Sequence, residues 1–131
     1  MSRRRNMIRN DRGQTMVEFA LVVPILCVIL FGILQFGALY NDYVTLTDAA
    51  RVGARRAAVS RLTSNPVAAA EAATRGASAG LTQSELQVAV SSTWKQGDPV
   101  TVKASYPYSV DLLGIVVKAG NLESEITERV E

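Results

Sequence analysis

The sequence predicts an α+β fold: a long N-terminal transmembrane helix extending into a small domain with a second short helix and a three-stranded antiparallel sheet. Three observations predict it. An uncharged run from Phe19 to Tyr40 is broken only by the amide of Gln35, a proline-free helix-forming segment continues from Asp42 to Leu62, and three later segments alternate with period two.

Phe19–Tyr40 is 22 residues. As a helix it is roughly 33 Å long, about one hydrocarbon core. A soluble core helix this apolar needs a domain around every side, and 131 residues cannot supply one. Pro24 is tolerated in a membrane helix and is read as a kink. A cleaved signal peptide competes, but the run exceeds a usual apolar core, Glu18 stands at its mouth, and Gly37-Ala38-Leu39 is a poor cleavage site.

Charge sets the direction. Residues 1–13 carry Arg3, Arg4, Arg5, Arg9 and Arg12 against Asp11, whereas the rest of the chain has nine basic and eleven acidic groups. Basicity confined to an arm beside an apolar run suits a membrane surface and not nucleic acid. Asn41, Asp42 and Asp48 come first after the run. The N-terminus is therefore expected in the cytoplasm and the remainder across the membrane, with Tyr40 and Tyr43 in the far interfacial belt.

The same composition argues against catalysis. Histidine, the commonest general base and metal ligand, is absent, and Cys27 lies inside the apolar run. No zinc spacing, phosphate-binding glycine loop or nucleophile elbow occurs. No cofactor or metal is expected, and an enzymatic reading would have to rest on Asp98 or Asp111.

Past the membrane, Ala49, Gly53 and Ala57 form one small-residue stripe and Ala50, Ala54 and Ala58 another. Such stripes let a second backbone approach closely, here the chain's own sheet in preference to another subunit, though both can hold. Arg51, Arg55 and Arg56 read as a solvated face, with Asp48 one turn from Arg51. Thr63-Ser64-Asn65-Pro66 stops and restarts the chain: Asn65 caps and Pro66 opens a second helix over Val67–Ala79, ended by Gly80. Its alanines suggest that it rests lightly on the domain.

Leu86, Val88, Val90 and Trp94 alternate with polar or small neighbours, as do Val100, Val102, Ala104 and Tyr106, with Gln96-Gly97-Asp98-Pro99 as the turn between. Pro107 ends or edges the second strand. Leu122, Ile126 and Val130 share a face in the last segment. Asp111–Gly120 reads as an apolar loop that tucks under the sheet, touches the membrane or meets a partner. Trp94, Tyr106 and Tyr108 read as core in preference to a ligand platform.

The membrane entrance is Gly13-Gln14-Thr15-Met16-Val17-Glu18-Phe19, with Pro24 further in. A carboxylate at the lipid boundary is unfavourable unless hydrated or paired. By position alone, hydration near Arg12 and a functional pairing are equally good readings. The pattern resembles the processing site of prepilin-like proteins of the Tad (type IVc) pilus. Ala49-Ala50-Arg51-Val52-Gly53-Ala54-Arg55, Pro99–Pro107 and the closing Glu128–Glu131 also resemble the TadE-like family.

The resemblance implies cleavage between Gly13 and Gln14 by a membrane prepilin peptidase. It further implies that Glu18, beside Phe19, pairs with the new amine of a neighbouring subunit. The implied partners are that peptidase, the Flp-type major pilin, other minor pilins, the Tad assembly platform and membrane lipid. The resulting expectation is a minor pilin or pseudopilin of the cytoplasmic membrane, divided as leader 1–13, transmembrane helix 14–40 and extracytoplasmic domain 41–131. The alternative is an uncleaved, permanently anchored interaction domain.

Overall fold

The computed structural model describes residues 11–131, so Arg3, Arg4, Arg5 and Arg9 of the expected basic leader lie outside the described residues. Helix α1 runs unbroken from Asp11 to Ala58, 48 residues or about 72 Å. Helix α2 spans Pro66–Ala77, and strands β1 (Gln87–Ser92), β2 (Pro99–Leu112) and β3 (Ile115–Arg129) follow. The strands form one antiparallel sheet in the order β1-β2-β3. The α+β architecture predicted from sequence is the one observed.

Along α1 the environment changes sharply. None of its most apolar stretch is buried within the chain. From Leu46 onward, one side of the helix disappears into the domain: Leu46, Ala49, Ala50, Ala54 and Ala57 are fully buried. They share a core with Ala70, Leu81, Leu86, Val100, Val102, Ala104 and Val130, flanked by Trp94, Tyr106, Leu122 and Ile126. Trp94, just past the end of β1, and Tyr106 of β2 therefore pack against the core as expected, whereas Tyr108 lies outside it, half-buried beside Gln35. Helix and sheet approach closely because most helix residues between them are alanine.

Helix α2 begins as the sequence indicates, with Pro66 in the first turn and the Asn65 side chain accepting a 3.0 Å hydrogen bond from the Ala68 amide. Two expectations about it fail. It ends at Ala77 with Ser78 as the cap, whose amide and hydroxyl both bond the Arg75 carbonyl, and Gly80 lies beyond. Nor does it rest lightly. Ala70 and Thr74 are fully buried, and a β-carbon built on Gly53 of α1 would lie 1.9 Å from the Thr74 hydroxyl oxygen. Low side-chain volume produces closer backbone contact here, not looser attachment.

Helix α1 stops at Ala58, short of the expected Leu62. The Ala57 carbonyl accepts from the Ser60 amide, and the Ala58 carbonyl from the Glu131 amide at 2.9 Å. The final residues thus tie back onto the end of α1, which fixes the third strand against the helix.

The largest departure concerns Asp111–Gly120. The expected loop is the far end of a β-hairpin: β2 and β3 pair from Pro99↔Arg129 to Leu112↔Ile115, with a register shift between Val110 and Asp111. Leu113 and Gly114 close it with φ of 52° and 85°, the two positive values of a type I′ hairpin turn. A leucine in place of the usual asparagine or aspartate hides this turn in the sequence. Strand β2 also continues through Pro107. The last β1 pairing is Gln87↔Ser105, so Pro107 sits where the outer edge of β2 has no β1 partner.

Candidate assembly and membrane-entrance site

Gly13, Gln14, Glu18 and Phe19 all lie in the first turns of α1. Gln14, Glu18 and Phe19 are exposed, and Gly13 is half-buried. Four residues apart on a helix, Gln14 and Glu18 share a face. The Gln14 side-chain amide donates a 3.0 Å hydrogen bond to Glu18 Oε1. One carboxylate oxygen is therefore engaged within the chain, while the outward side of the pair is open. The Gly13–Gln14 peptide bond is helical, so it is not presented in extended form.

Beyond this entrance the helix is bare. Phe19, Leu21, Ile25, Leu26, Ile29, Leu30, Phe31, Ile33, Leu34 and Phe36 point outward all round the axis, each between 47% and 69% exposed. A helix apolar on every side and covered on none is stable in hydrocarbon or among other helices, not in water. Pro24 lies within α1 and does not interrupt it.

The small-residue stripe has a different fate. Ala49, Ala50, Gly53, Ala54, Ala57 and Ala58 are all buried inside the chain, facing α2 and the sheet. The opposite face carries Val52, Arg51, Arg55 and Arg56 in the open, with Arg51 bonded to Asp48 at 3.3 Å.

A third cluster went unread in the sequence. The Gln35 side-chain amide donates to the backbone carbonyl of Asp111. Gln35, Ala38, Leu39 and Asp42 thus form one wall of a groove of about 280 Å³, with Tyr106–Ser109 and Asp111 as the other. The signal was present: Gln35 is the single amide in the apolar run, and a polar group at that depth requires a partner. Its partner is hidden in the sequence, because the Leu113-Gly114 turn that brings Asp111 to it lacks a polar turn residue.

No convergent chemistry accompanies these features. Asp98 bonds the Thr93 hydroxyl near the start of β2, whereas Asp111 stands near its end, on the order of 40 Å of strand away. Among the described residues no group of three acidic or cysteine side chains could hold a metal ion.

Fold and site together give one long apolar helix that fits a single-pass membrane anchor, carrying a small sheet domain on its other half. Residues 13–55 match the family described as TadE-like protein. The match covers about a third of the chain, from Gly13 to Arg55, and so takes in the apolar helix and the first part of the small-residue stripe. The later resemblances at Pro99–Pro107 and Glu128–Glu131 fall outside the matched residues. No curated protein and no solved structure matches the chain.

Proposed function

We propose that this chain is a minor pilin or pseudopilin of a Tad-type pilus. A prepilin peptidase processes it after Gly13, and it then packs through α1 among the Flp-type major pilin and other minor pilins. The observation that carries the reading is a TadE-like segment that starts at Gly13 and runs into an apolar helix uncovered on all sides. Lipid satisfies that helix before assembly, and neighbouring helices satisfy it afterwards. The sheet domain projects from the outer half, where it primes assembly or caps a tip.

Cleavage of the Gly13–Gln14 bond requires the first turn of α1 to open, since peptidases act on extended backbone. Glycine is the weakest helix former after proline, by about 1 kcal/mol against alanine, so opening is easiest beside Gly13. Once freed, the Gln14 amine is a cation that Glu18 of an adjacent subunit can bind. Such a pair selects register, because a shifted neighbour would leave a charge alone in a low-dielectric bundle. Cyclisation of Gln14 would abolish the cation, so the reading requires an intact amine in the mature chain.

The first residue of the protein purified from its native membrane tests this. Gln14 is the expected start, with an intact mass showing no loss of ammonia. A different start, or normal piliation with Glu18→Ala, would overturn the proposal. A second reading, the uncleaved anchored domain, is favoured by the helical state of the Gly13–Gln14 bond. Unchanged electrophoretic mobility after deletion of the peptidase would select it.

A further inference from the structure

We propose that the tip of the β2–β3 hairpin is a second membrane contact, in which Leu112, Leu113, Ile115, Val116 and Val117 enter the lipid interface beside α1. The inference rests on the reading of α1 as a membrane anchor.

Depth is the first argument. The bond from Gln35 to the Asp111 carbonyl fixes the hairpin against α1 five residues before Tyr40. That is about 7–8 Å along the helix toward the centre of the apolar run. Apolar faces of interfacial elements reach about 5–10 Å into the boundary between headgroups and acyl chains. A domain held at this level cannot keep its hairpin in bulk water while Phe36 and Leu34 of the adjacent helix sit in lipid.

Composition is the second argument. Leu113, Ile115, Val116 and Val117 are 78%, 71%, 60% and 64% exposed, although each would be favoured in a core. The turn itself holds Leu113 at a φ of 52°, in the left-handed region that type I′ turns in water fill with asparagine, aspartate or glycine. A large apolar side chain in that strained position is placed at the outermost point of the hairpin. Lys118, exposed and paired opposite Val110, stands just above the apolar tip, where its stem can extend the ammonium to a phosphate. The exposed Asp111 carboxylate starts from the depth of the Gln35 bond and must reach outward to the hydrated headgroups, which limits insertion to the interface.

The full chain reconstituted at one copy per lipid nanodisc tests the contact. An environment-sensitive fluorophore is attached at Cys27, or, in a Cys27→Ser background, at Ile115→Cys or at Glu125→Cys on the exposed part of β3. Lipids spin-labelled at the top of the acyl chain, for positions 115 and 125, or near its end, for Cys27, and aqueous iodide serve as opposing quenchers. The expected result is a blue shift and lipid quenching at position 115, with loss of iodide quenching, while position 125 stays accessible to iodide. Iodide quenching at 115 together with lipid quenching at Cys27 would overturn this inference and leave the anchor intact. Failure of lipid quenching at Cys27 would overturn both. Protection of position 115 from both quenchers would show protein cover, from a neighbouring subunit or the chain itself, and would overturn the lipid assignment.

Discussion

Replacing Gly53 with alanine isolates the contact between α1 and α2. A β-carbon there would meet Thr74 Oγ1 at 1.9 Å, Thr74 Cβ at 3.2 Å and the Ala70 carbonyl oxygen at 3.3 Å. Rotating Thr74 relieves only the first contact, and it breaks the 2.9 Å hydrogen bond from its buried hydroxyl to Ala70. A buried hydroxyl left without a partner costs about 1–3 kcal/mol. Moving α2 away instead opens the core, and overpacking typically costs about 1–3 kcal/mol. Alanine's better helix propensity returns about 1 kcal/mol. The expected net loss is about 1–2 kcal/mol, within the range of those opposing terms. Urea unfolding of the full chain in mild detergent, followed by the fluorescence of Trp94, measures it. The steric origin has its own signature in a double-mutant cycle. Gly53→Ala should be less damaging in a Thr74→Ala background, since the closest contact has gone, with a coupling of about 1 kcal/mol or more. A Gly53→Ala protein as stable as the parent, or an additive cycle, would refute the reasoning.

Asn65→Ala should lower stability by about 1 kcal/mol in the same unfolding assay, because the Ala68 amide loses its cap. Gln35→Leu should leave the core unchanged but speed hydrogen exchange of residues 108–118 relative to 99–105. The lost bond to Asp111 is worth about 0.5–1.5 kcal/mol, and equal exchange in the two segments would contradict its anchoring role. Neutralising Lys103 and Glu123 together, a half-exposed pair at 3.2 Å, should change stability by less than about 0.5 kcal/mol; a larger loss would mean solvent screening is weaker there than its exposure implies.

How much of this was legible depended on whether a residue acts locally. The Asn65 cap, the Pro66 start, the Gln96–Pro99 turn and the alternation of Val100, Val102 and Ala104 are short-range signals, and each is found where the sequence put it. Close α1–α2 packing was misjudged because alanine content was equated with weak burial; the Gly53–Thr74 contact depends on two segments about twenty residues apart. The hairpin was missed for a different reason. Leu113-Gly114 lacks the polar turn residue that would announce it, and the apolar strands on either side look like a loop seeking cover. In the candidate site, Gly13 and Glu18 are singled out by resemblance alone, whereas the Gln35–Asp111 contact joins residues 76 apart and requires the third dimension.

The stripe of small residues also constrains how subunits can meet. Ala49, Ala50, Ala54 and Ala57 are fully buried and Ala58 is 6% exposed, while Gly53 already touches Thr74. A neighbouring helix could reach that stripe only by displacing α2 and the sheet, which would expose Val100, Val102 and Leu46 together. Fully exposing any one of these large residues costs about 1.5–3 kcal/mol, so no ordinary helix contact compensates for losing all three. Lateral packing past Leu46 is therefore confined to the other side of α1, where Val52 is 47% exposed among Arg51, Arg55 and Arg56. Below Gln35 no such restriction applies, because the helix is open on every side. In the proposed pilus, close helix–helix contact would therefore belong to the inner half of α1, and the domain on the outer half would set the spacing between neighbours.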